Sequence, residues 1–329
     1  MSKPFYAQGY VPYKKDINIE DKEFHQKEMF TNPCLIYDYF KNNVYKQDEY
    51  LRAASMLLFN HVKGITSRMI VCGPPGNGKT LVAECIKNLW PNTIIVNSAT
   101  LTKDGWSGDN KVTSFLNQVD PDEQNCIVVF DEFDKAITSH TTSHGENVGE
   151  LIQSEFLKLV EGQTVSIVTK EGKLTYDTSK MSFIFTGSFA VKAKDIADNN
   201  STKIFGFNSE EHTEKAFDKE LSIDDFIDFG LIPELASRLT DVINVRPLSL
   251  KDFEYLIMEH PASPVKKLEQ QFGVELKLTK KKLKEIAKDA YDSGLGVRNA
   301  TARLRNVIND KIFREYENNK CMPESIKIQ

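Results

Sequence analysis

Gly73-Pro74-Pro75-Gly76-Asn77-Gly78-Lys79-Thr80 is the stretch that decides the fold, because it fits the pattern G-x-x-x-x-G-K-[ST]. In this pattern the glycines let the backbone turn tightly, so that successive N–H groups can point at phosphate oxygens. The Lys79 ammonium can reach the terminal phosphates, and the Thr80 hydroxyl can bind Mg²⁺. Residues 69–72 form a short apolar run, and residues 81–89 have a helical pattern. The sequence therefore predicts a phosphate-binding loop between a buried strand and the positive end of a helix.

Two carboxylates follow the next strongly apolar segment. Residues 127–130 form a continuous apolar run, typical of a central parallel strand that is covered on both faces. Asp131 would hold Mg²⁺, directly or through water, and Glu132 would polarise an attacking water molecule. Taken alone, this pair is as consistent with an acidic loop at a strand end. Together with Lys79 it predicts hydrolysis of a nucleotide such as ATP.

Length and charge bound the class of protein. The chain has 329 residues, more than one hydrophobic core usually organises, so two domains are expected. The net charge of −5 argues against sequence-independent binding of nucleic acid, which needs a basic surface. No apolar stretch approaches the length of a membrane span. We therefore expect neither a nucleic acid nor a membrane as a partner.

Cysteine usage points to a reducing compartment. The five cysteines are scattered and form no C-x-x-C pair. Cys72 and Cys126 lie in apolar strand contexts, so we interpret them as reduced core residues. Residues 1–13 hold no apolar core of the signal-peptide type. These features predict a cytoplasmic protein.

Strand-like and helix-like segments alternate along most of the chain, which predicts an α/β fold with a parallel sheet and helices on both faces. Helical patterns cover 33–61, 111–119 and 148–160, and further strand-like runs cover 93–97 and 181–186. From residue 246 the pattern is mostly helical, with short strand candidates at 274–278 and 325–328, and Thr279 would cap a helix that starts at Lys280. The predicted organisation is an N-terminal arm over 1–30, a large domain over 31–245 and a smaller domain over 246–329.

Several further segments occur in a specific order. They are Asn43-Val44-Tyr45-Lys46-Gln47, Leu101-Thr102-Lys103-Asp104-Gly105-Trp106-Ser107-Gly108, residues 156–162, residues 177–180, and Phe229-Gly230-Leu231-Ile232-Pro233-Glu234-Leu235-Ala236-Ser237-Arg238-Leu239. In this order the chain, from about Pro33 to its end, resembles the ClpX family of AAA+ protein unfoldases. The resemblance implies an AAA+ P-loop NTPase fold, an ATPase activity with ATP and Mg²⁺, and a homo-hexamer.

The resemblance also implies roles for individual residues. Arg238 is similar to an arginine finger, which reaches the nucleotide of a neighbouring subunit, and Arg298 is similar to the sensor 2 arginine. Each arginine could instead be a surface ion pair. Thr186, beside Gly187 and Ser188 at the end of its strand, resembles a sensor 1 polar residue near the attacking water. The implied nucleotide contacts are Val44, Tyr45, Pro74, Pro75, Gly76, Asn77, Gly78, Lys79, Thr80, Leu81 and Arg298.

The segment around Trp106 resembles a pore loop. Gly105 and Gly108 flank Trp106 and Ser107, and the neighbouring residues are polar, so burial of the indole would desolvate them. The implied role is to grip a protein substrate in the axial channel, and the alternative is a core anchor for a turn. Residues 139–149 would form a second pore loop or an ordinary surface loop.

Departures from the family limit what the resemblance carries. No cysteine pattern for the family's N-terminal zinc-binding domain is present, and only a hairpin-like segment at 166–176 remains of an insertion before Asp177. Lys46 stands where a glycine is usual, and Trp106 where a tyrosine is usual. Ile204-Phe205-Gly206-Phe207 imperfectly resembles the loop that docks on the ClpP peptidase; its phenylalanines could instead pin the loop to its own domain.

The leading expectation is an ATP-driven unfoldase that threads protein substrates, with a ClpP-type peptidase as its partner. A free-standing remodelling chaperone is the alternative within the same family. AAA+ folds also host nucleic-acid motors and loaders, against which the acidic net charge argues. A non-catalytic nucleotide-switched scaffold is disfavoured by Lys79, Asp131, Glu132 and Arg238.

Overall fold

The structure is a computed structural model that describes residues 28–101, 111–138, 147–169, 172–190, 219–294, 296–319 and 321–329. Most of the predicted N-terminal arm, the Trp106 loop, most of the 139–149 loop and the segment 204–207 lie outside the described residues. Within the described residues no helix is both long enough and apolar enough to cross a membrane.

The described strands are β1 (Arg68–Cys72), β2 (Thr93–Asn97), β3 (Ile127–Asp131), β4 (Thr164–Thr169), β5 (Gly172–Asp177), β6 (Ser182–Gly187), β7 (Asp241–Asn244), β8 (Glu275–Leu278) and β9 (Ser325–Ile328). The labelled helices are α1 (Pro33–Asn43), α2 (Asp48–Val62), α3 (Lys79–Leu89), α4 (Phe133–Ile137), α5 (Val148–Val160), α6 (Ile223–Phe229), α7 (Pro233–Ala236), α8 (Leu250–Met258), α9 (Pro264–Phe272), α10 (Lys280–Asp292) and α11 (Val297–Asn319).

The main sheet has five strands in the order β2-β3-β6-β1-β7, and every neighbouring pair is parallel. The carboxyl ends of the strands therefore meet at one edge, where parallel α/β sheets bind their ligands. The register pairs Val71 of β1 with Thr186 of β6, and Asn97 of β2 with Asp131 of β3. The ends that carry the predicted site residues are thus side by side.

Two hydrophobic cores lie on opposite faces of this sheet. On β3, Val128 and Phe130 belong to the core that includes α5 and α6, whereas Ile127 and Val129 belong to the core that includes α1, α2 and α3. All four side chains are fully buried. The continuous apolar run of this strand is explained by burial on both faces, as predicted from the sequence.

A third core lies in the C-terminal part of the chain, formed by α8 to α11 and the parallel pair β8–β9. The Thr279 side chain accepts a hydrogen bond from the backbone N–H of Lys282, so the predicted cap of α10 is confirmed. The Gln47 side chain, just before α2, fixes the connection from β7 to α8, because it donates to the Arg246 carbonyl oxygen and accepts from the Arg246 N–H.

Most predicted elements are present, with several differences. The single helical pattern predicted at 33–61 is divided into α1 and α2, and the helices α6 and α7 were not predicted. Residues 112–118 form a 3₁₀ helix rather than an α-helix. The edge strand β7 and the short helix α4 were not predicted: β7 has only four residues with two apolar side chains, and α4 has only five residues, too few to show a helical period. The hairpin predicted at 166–176 is the antiparallel pair β4–β5. Cys72 and Cys126 are buried, as expected for core residues.

Candidate active site

The phosphate-binding loop connects β1 to α3 and is built on glycine conformations. Gly78, the residue before α3, has φ 94°, a left-handed conformation that favours glycine. The loop also packs closely against the C-terminal part of the chain, because a β-carbon on Gly296 would lie 2.7 Å from the Gly76 carbonyl oxygen. The exposed Arg298 lies two residues after Gly296, near the start of α11. The fold therefore brings the segment that carries the predicted sensor arginine to the loop.

The Lys79 side chain bends back onto this loop. Its Nζ donates hydrogen bonds to the carbonyl oxygens of Gly73 at 2.6 Å and Pro74 at 2.8 Å. Burial disfavours the charged ammonium and lowers the pKa of Lys79 to about 8, although the carboxylates of Asp131 and Asp134 act in the opposite direction. Because the Lys79 ammonium bears this desolvation cost, an incoming phosphate anion would stabilise it.

Asp131, at the end of β3, joins two hydroxyl groups from different elements. One carboxylate oxygen accepts from Thr80 Oγ1 at 2.7 Å, and the other accepts from Thr186 Oγ1 at 2.5 Å and from the Glu132 N–H at 3.0 Å. Thr186 is completely buried at the end of β6. The structure thus brings together Thr80, Asp131 and Thr186, which are far apart in sequence.

The oxygens of this cluster suit a magnesium ion. Mg²⁺ prefers hard oxygen ligands and is usually bound by one or two carboxylates with phosphate oxygens and water as further ligands. Asp131 and Thr80 present a carboxylate and a hydroxyl 2.7 Å apart. In the described part of the chain no group of three His, Cys, Asp or Glu residues could hold a metal by itself. The donor set therefore fits a metal shared with a phosphate ligand.

Glu132 occupies an uncommon backbone conformation directly after Asp131. Its φ is 58°, in the left-handed region that non-glycine residues seldom adopt. Such a conformation costs free energy and is often found at functional sites. The turn starts α4, and the Glu132 carboxylate is paired with Lys135 Nζ at 2.9 Å. The predicted water-activating carboxylate is thus at the same sheet edge as Asp131, on a fixed turn.

Val44 and Tyr45, predicted to contact the base, lie between the loop and the C-terminal part. Val44 is buried, and one of its methyl groups lies 3.4 Å from the position of a β-carbon on Gly78. The Tyr45 ring lies against Tyr255 of α8, with a centroid distance of 4.7 Å, and its hydroxyl donates to Asp252 at 3.3 Å. These two residues form one wall between the phosphate loop and α8.

Lys46 strengthens the same junction, a contact that sequence reasoning missed. Its φ is 56°, which explains why a glycine suits this position, and its Nζ pairs with Asp252 at 2.8 Å. Burial alone would raise the pKa of Asp252, but hydrogen bonds from Lys46 and Ser249 outweigh it and leave the pKa below its usual value. The sequence held part of this information, because the pattern of Ser249 and Asp252 predicts the capping box that the structure shows at the start of α8. It does not predict the contact of Asp252 with Lys46.

Arg238 lies at the opposite end of the sheet. Its Nη2 pairs with Glu161 Oε1 at 3.1 Å, and both residues line a cavity together with Arg68, the first residue of β1. The phosphate loop follows the last residue of β1, and a five-residue strand is about 13 Å long. Arg238 is therefore remote from the phosphate loop of its own chain.

Together, the parallel sheet, the phosphate loop after β1, the carboxylates after β3 and the buried Thr186 after β6 define a P-loop ATPase. A family model described as "AAA domain (Cdc48 subfamily)" matches residues 65–242, more than half of the chain. The chain belongs to this family, and it is a ClpX-like AAA+ ATPase.

Curated relatives support the assignment of the chain as ClpX-like. The "ATP-dependent Clp protease ATP-binding subunit ClpX" of Treponema denticola is 27% identical over 318 residues, which cover 85% of this chain and 76% of the relative. The protein of the same name from Porphyromonas gingivalis is 28% identical over 324 residues, covering 88% and 79%. "ClpX 2" of Wolinella succinogenes is 26% identical over 328 residues, covering 89% and 81%. The family and the α/β AAA+ fold expected from the sequence are thereby confirmed.

Proposed function

We propose that this chain is an ATP-dependent protein unfoldase and translocase of the ClpX type. Six copies would form a ring that hydrolyses ATP and threads protein substrates towards a ClpP-type peptidase. The observation that carries the proposal is the convergence of Thr80, Asp131 and Thr186 beside the Lys79 loop. It occurs in a chain similar to ClpX subunits over most of its length.

Each residue of the site has a role in nucleotide hydrolysis. Lys79 and the backbone N–H groups of the loop bind the phosphates, while Thr80 and Asp131 would hold Mg²⁺, which neutralises charge on the phosphate oxygens. Glu132 accepts a proton from the attacking water, and Thr186 holds the Asp131 carboxylate in place through its hydroxyl. The base rests against Val44 and Tyr45.

Hydrolysis is shared between copies in this proposal. Arg238 lies at the amino end of β1 and the phosphate loop at its carboxyl end. An arginine finger from this position can only serve the nucleotide of another copy. This polarity supports an assembly, and the number six comes from the resemblance to ClpX.

The proposed work cycle involves two domains, 31–245 and 246–329. Nucleotide binds between them, and Arg298 reports its state because its segment packs on the phosphate loop through Gly296. The change of nucleotide rotates the two domains relative to each other, and this rotation moves the Trp106 loop along the axial channel of the ring. That loop and the segment 204–207 lie outside the described residues, so their roles in the proposal rest on the sequence.

The test is the variant Glu132→Gln, which keeps the size of the side chain and removes its charge. It should bind ATP but neither hydrolyse it nor unfold a tagged protein substrate. Glu123→Gln, at an exposed loop position, is the matched control and should behave as the wild type. Normal turnover by Glu132→Gln would remove this residue from the mechanism.

Remodelling without a peptidase is the second candidate, favoured by the imperfect match of Ile204-Phe205-Gly206-Phe207 to a docking loop. Deletion of residues 203–208 separates the two uses. Loss of peptidase-coupled degradation with full ATPase activity would support the peptidase partner. If the intact protein unfolds substrate but never binds a ClpP-type peptidase, the remodelling function is favoured.

A further inference from the structure

A cavity of about 460 Å³, largely open to solvent, lies at the amino end of β1, at the end of the sheet remote from the phosphate loop. Its lining residues are Arg68, Val160, Glu161, Gln163 and Arg238. Among the described residues, two guanidinium groups therefore share this space with a single carboxylate. The excess of positive charge makes the cavity suited to an anion.

Arg68 is the less compensated of the two arginines. Its Nε donates to the carbonyl oxygen of Val160, the last residue of α5, and among the described residues no carboxylate lies within ion-pair distance of it. Burial and the positive charge of Arg238 both lower the pKa of Arg68. With Nε occupied, the terminal nitrogens are the donors that remain for a ligand.

Glu161 is bound to Arg238 only loosely. The Arg238 side chain is 52% exposed and the Glu161 side chain 29%. Ion pairs this exposed are worth about 0–1 kcal/mol. The second carboxylate oxygen of Glu161 accepts from Gln163 Nε2 at 3.0 Å, so the carboxylate keeps a partner when Arg238 leaves. A phosphate that offers Arg238 two charge-assisted hydrogen bonds can therefore replace it.

We propose that Arg68 is a second cation of the site formed between copies, and that Glu161 is the exchangeable counter-ion of Arg238. The ligand is the terminal phosphate of a nucleoside triphosphate held by the loop of an adjacent copy. This inference rests on the proposed function, in which Arg238 serves that phosphate. Arg68 adds a second contact to it, and Glu161 retains Arg238 until the phosphate arrives.

The first measurement compares Arg68→Gln with Arg314→Gln, a control at an exposed position of α11. Arg68→Gln should lower kcat for ATP by about tenfold or more. This loss is smaller than the roughly 10³–10⁵ that an arginine finger contributes, because Arg238 stays in place. In dilute, unassembled protein its affinity for a fluorescent ATP analogue should stay within about twofold, because the chain's own phosphate loop lies at the other end of β1. A kcat equal to that of Arg314→Gln would overturn the inference.

Mixing experiments test whether Arg68 acts on a neighbouring copy. Subunits with Glu132→Gln cannot hydrolyse ATP but still offer an intact Arg68. Mixed with Arg68→Gln subunits, they should yield more ATPase activity than either variant alone. Arg68→Lys keeps the charge and should recover part of kcat. No gain on mixing, together with equal losses for Arg68→Lys and Arg68→Gln, would show that Arg68 only supports the structure.

The role of Glu161 is tested by Glu161→Gln, which keeps a hydrogen-bond acceptor and removes the competing charge. The ATP concentration at half-maximal rate should fall about threefold, as expected when a weak exposed ion pair no longer competes. A rise in this concentration would contradict the exchange. Arg238→Ala distinguishes a failure of the proposed function from a failure of this inference. If Arg238→Ala keeps normal activity, the proposed site shared between copies is wrong. If Arg238→Ala is inactive and Arg68→Gln is normal, only the present inference fails.

Discussion

Replacing Lys79 by methionine should stabilise the nucleotide-free protein while it abolishes nucleotide binding. The pKa of Lys79 falls from 10.5 to about 8 because the ammonium is desolvated. This displacement corresponds to about 3 kcal/mol of unfavourable free energy for the charged group. The variant also loses two hydrogen bonds, to Gly73 and Pro74, each worth about 1 kcal/mol. The expected net gain in the free energy of unfolding is about 1–2 kcal/mol.

The dependence on pH gives this prediction its signature. Below pH 8 Lys79 is protonated in both states, so the folded wild type bears the full cost of the buried charge. Between pH 8 and 10.5 the folded state releases the proton while the unfolded chain still holds it, so the wild type becomes more stable as pH rises. The advantage of Lys79→Met should therefore be complete at pH 7 and should disappear as pH approaches 10.5.

The assay is denaturant or thermal unfolding at several pH values after removal of nucleotide with a chelator and a phosphatase. Lys87→Met, on the exposed side of the same helix, is the matched control and should change little. With Mg²⁺ and ATP at about a hundred times Kd, the wild type should gain about 2.7 kcal/mol and Lys79→Met nothing. A variant less stable than the wild type at pH 7, or a gain that persists unchanged to pH 10.5, would refute the reasoning.

Three further predictions concern hydroxyl, lysine and histidine contacts. Thr186→Val removes one hydrogen bond to Asp131 and should lower the ATPase rate about tenfold with unchanged nucleotide affinity, whereas Thr186→Ser should retain most of the rate. Lys46→Ala should lower the free energy of unfolding in denaturant titrations by about 1–2 kcal/mol, because it loses the ion pair with Asp252 and keeps a strained φ; Lys46→Gly should lose less. Burial lowers the pKa of His61 to about 4, so between pH 6.5 and 4 the unfolded chain binds a proton that the folded state does not. The free energy of unfolding therefore falls as pH falls through this range. His61→Gln should flatten this part of the plot of unfolding free energy against pH.

The sequence predicted the parts of the site that are local in the chain. The phosphate loop, Asp131 and Glu132 each combine a residue pattern with a neighbouring apolar strand, and both signals lie within a few residues. Thr186 was placed only through the family resemblance. Its contact with Asp131 depends on β6 lying beside β3, and strand order is not written in local patterns. Polar contacts between distant segments, such as Lys46 with Asp252, were missed for the same reason.

The direction of the parallel sheet has a consequence for how two copies must meet. The nucleotide-binding residues lie at the carboxyl ends of the strands; they are Lys79, Thr80, Asp131 and Thr186. The two arginines, Arg68 and Arg238, lie at the amino end of β1. If both groups serve one phosphate, the face that carries one end of the sheet must contact the opposite face of the next copy. Such a head-to-tail contact repeats until the rotation between copies closes a ring. A single copy then has a complete nucleotide-binding loop but lacks the arginines that complete its site, so hydrolysis per subunit should rise steeply with protein concentration while nucleotide affinity stays nearly constant. An isolated monomer that hydrolyses ATP at the rate of the assembled protein would contradict this division of the site.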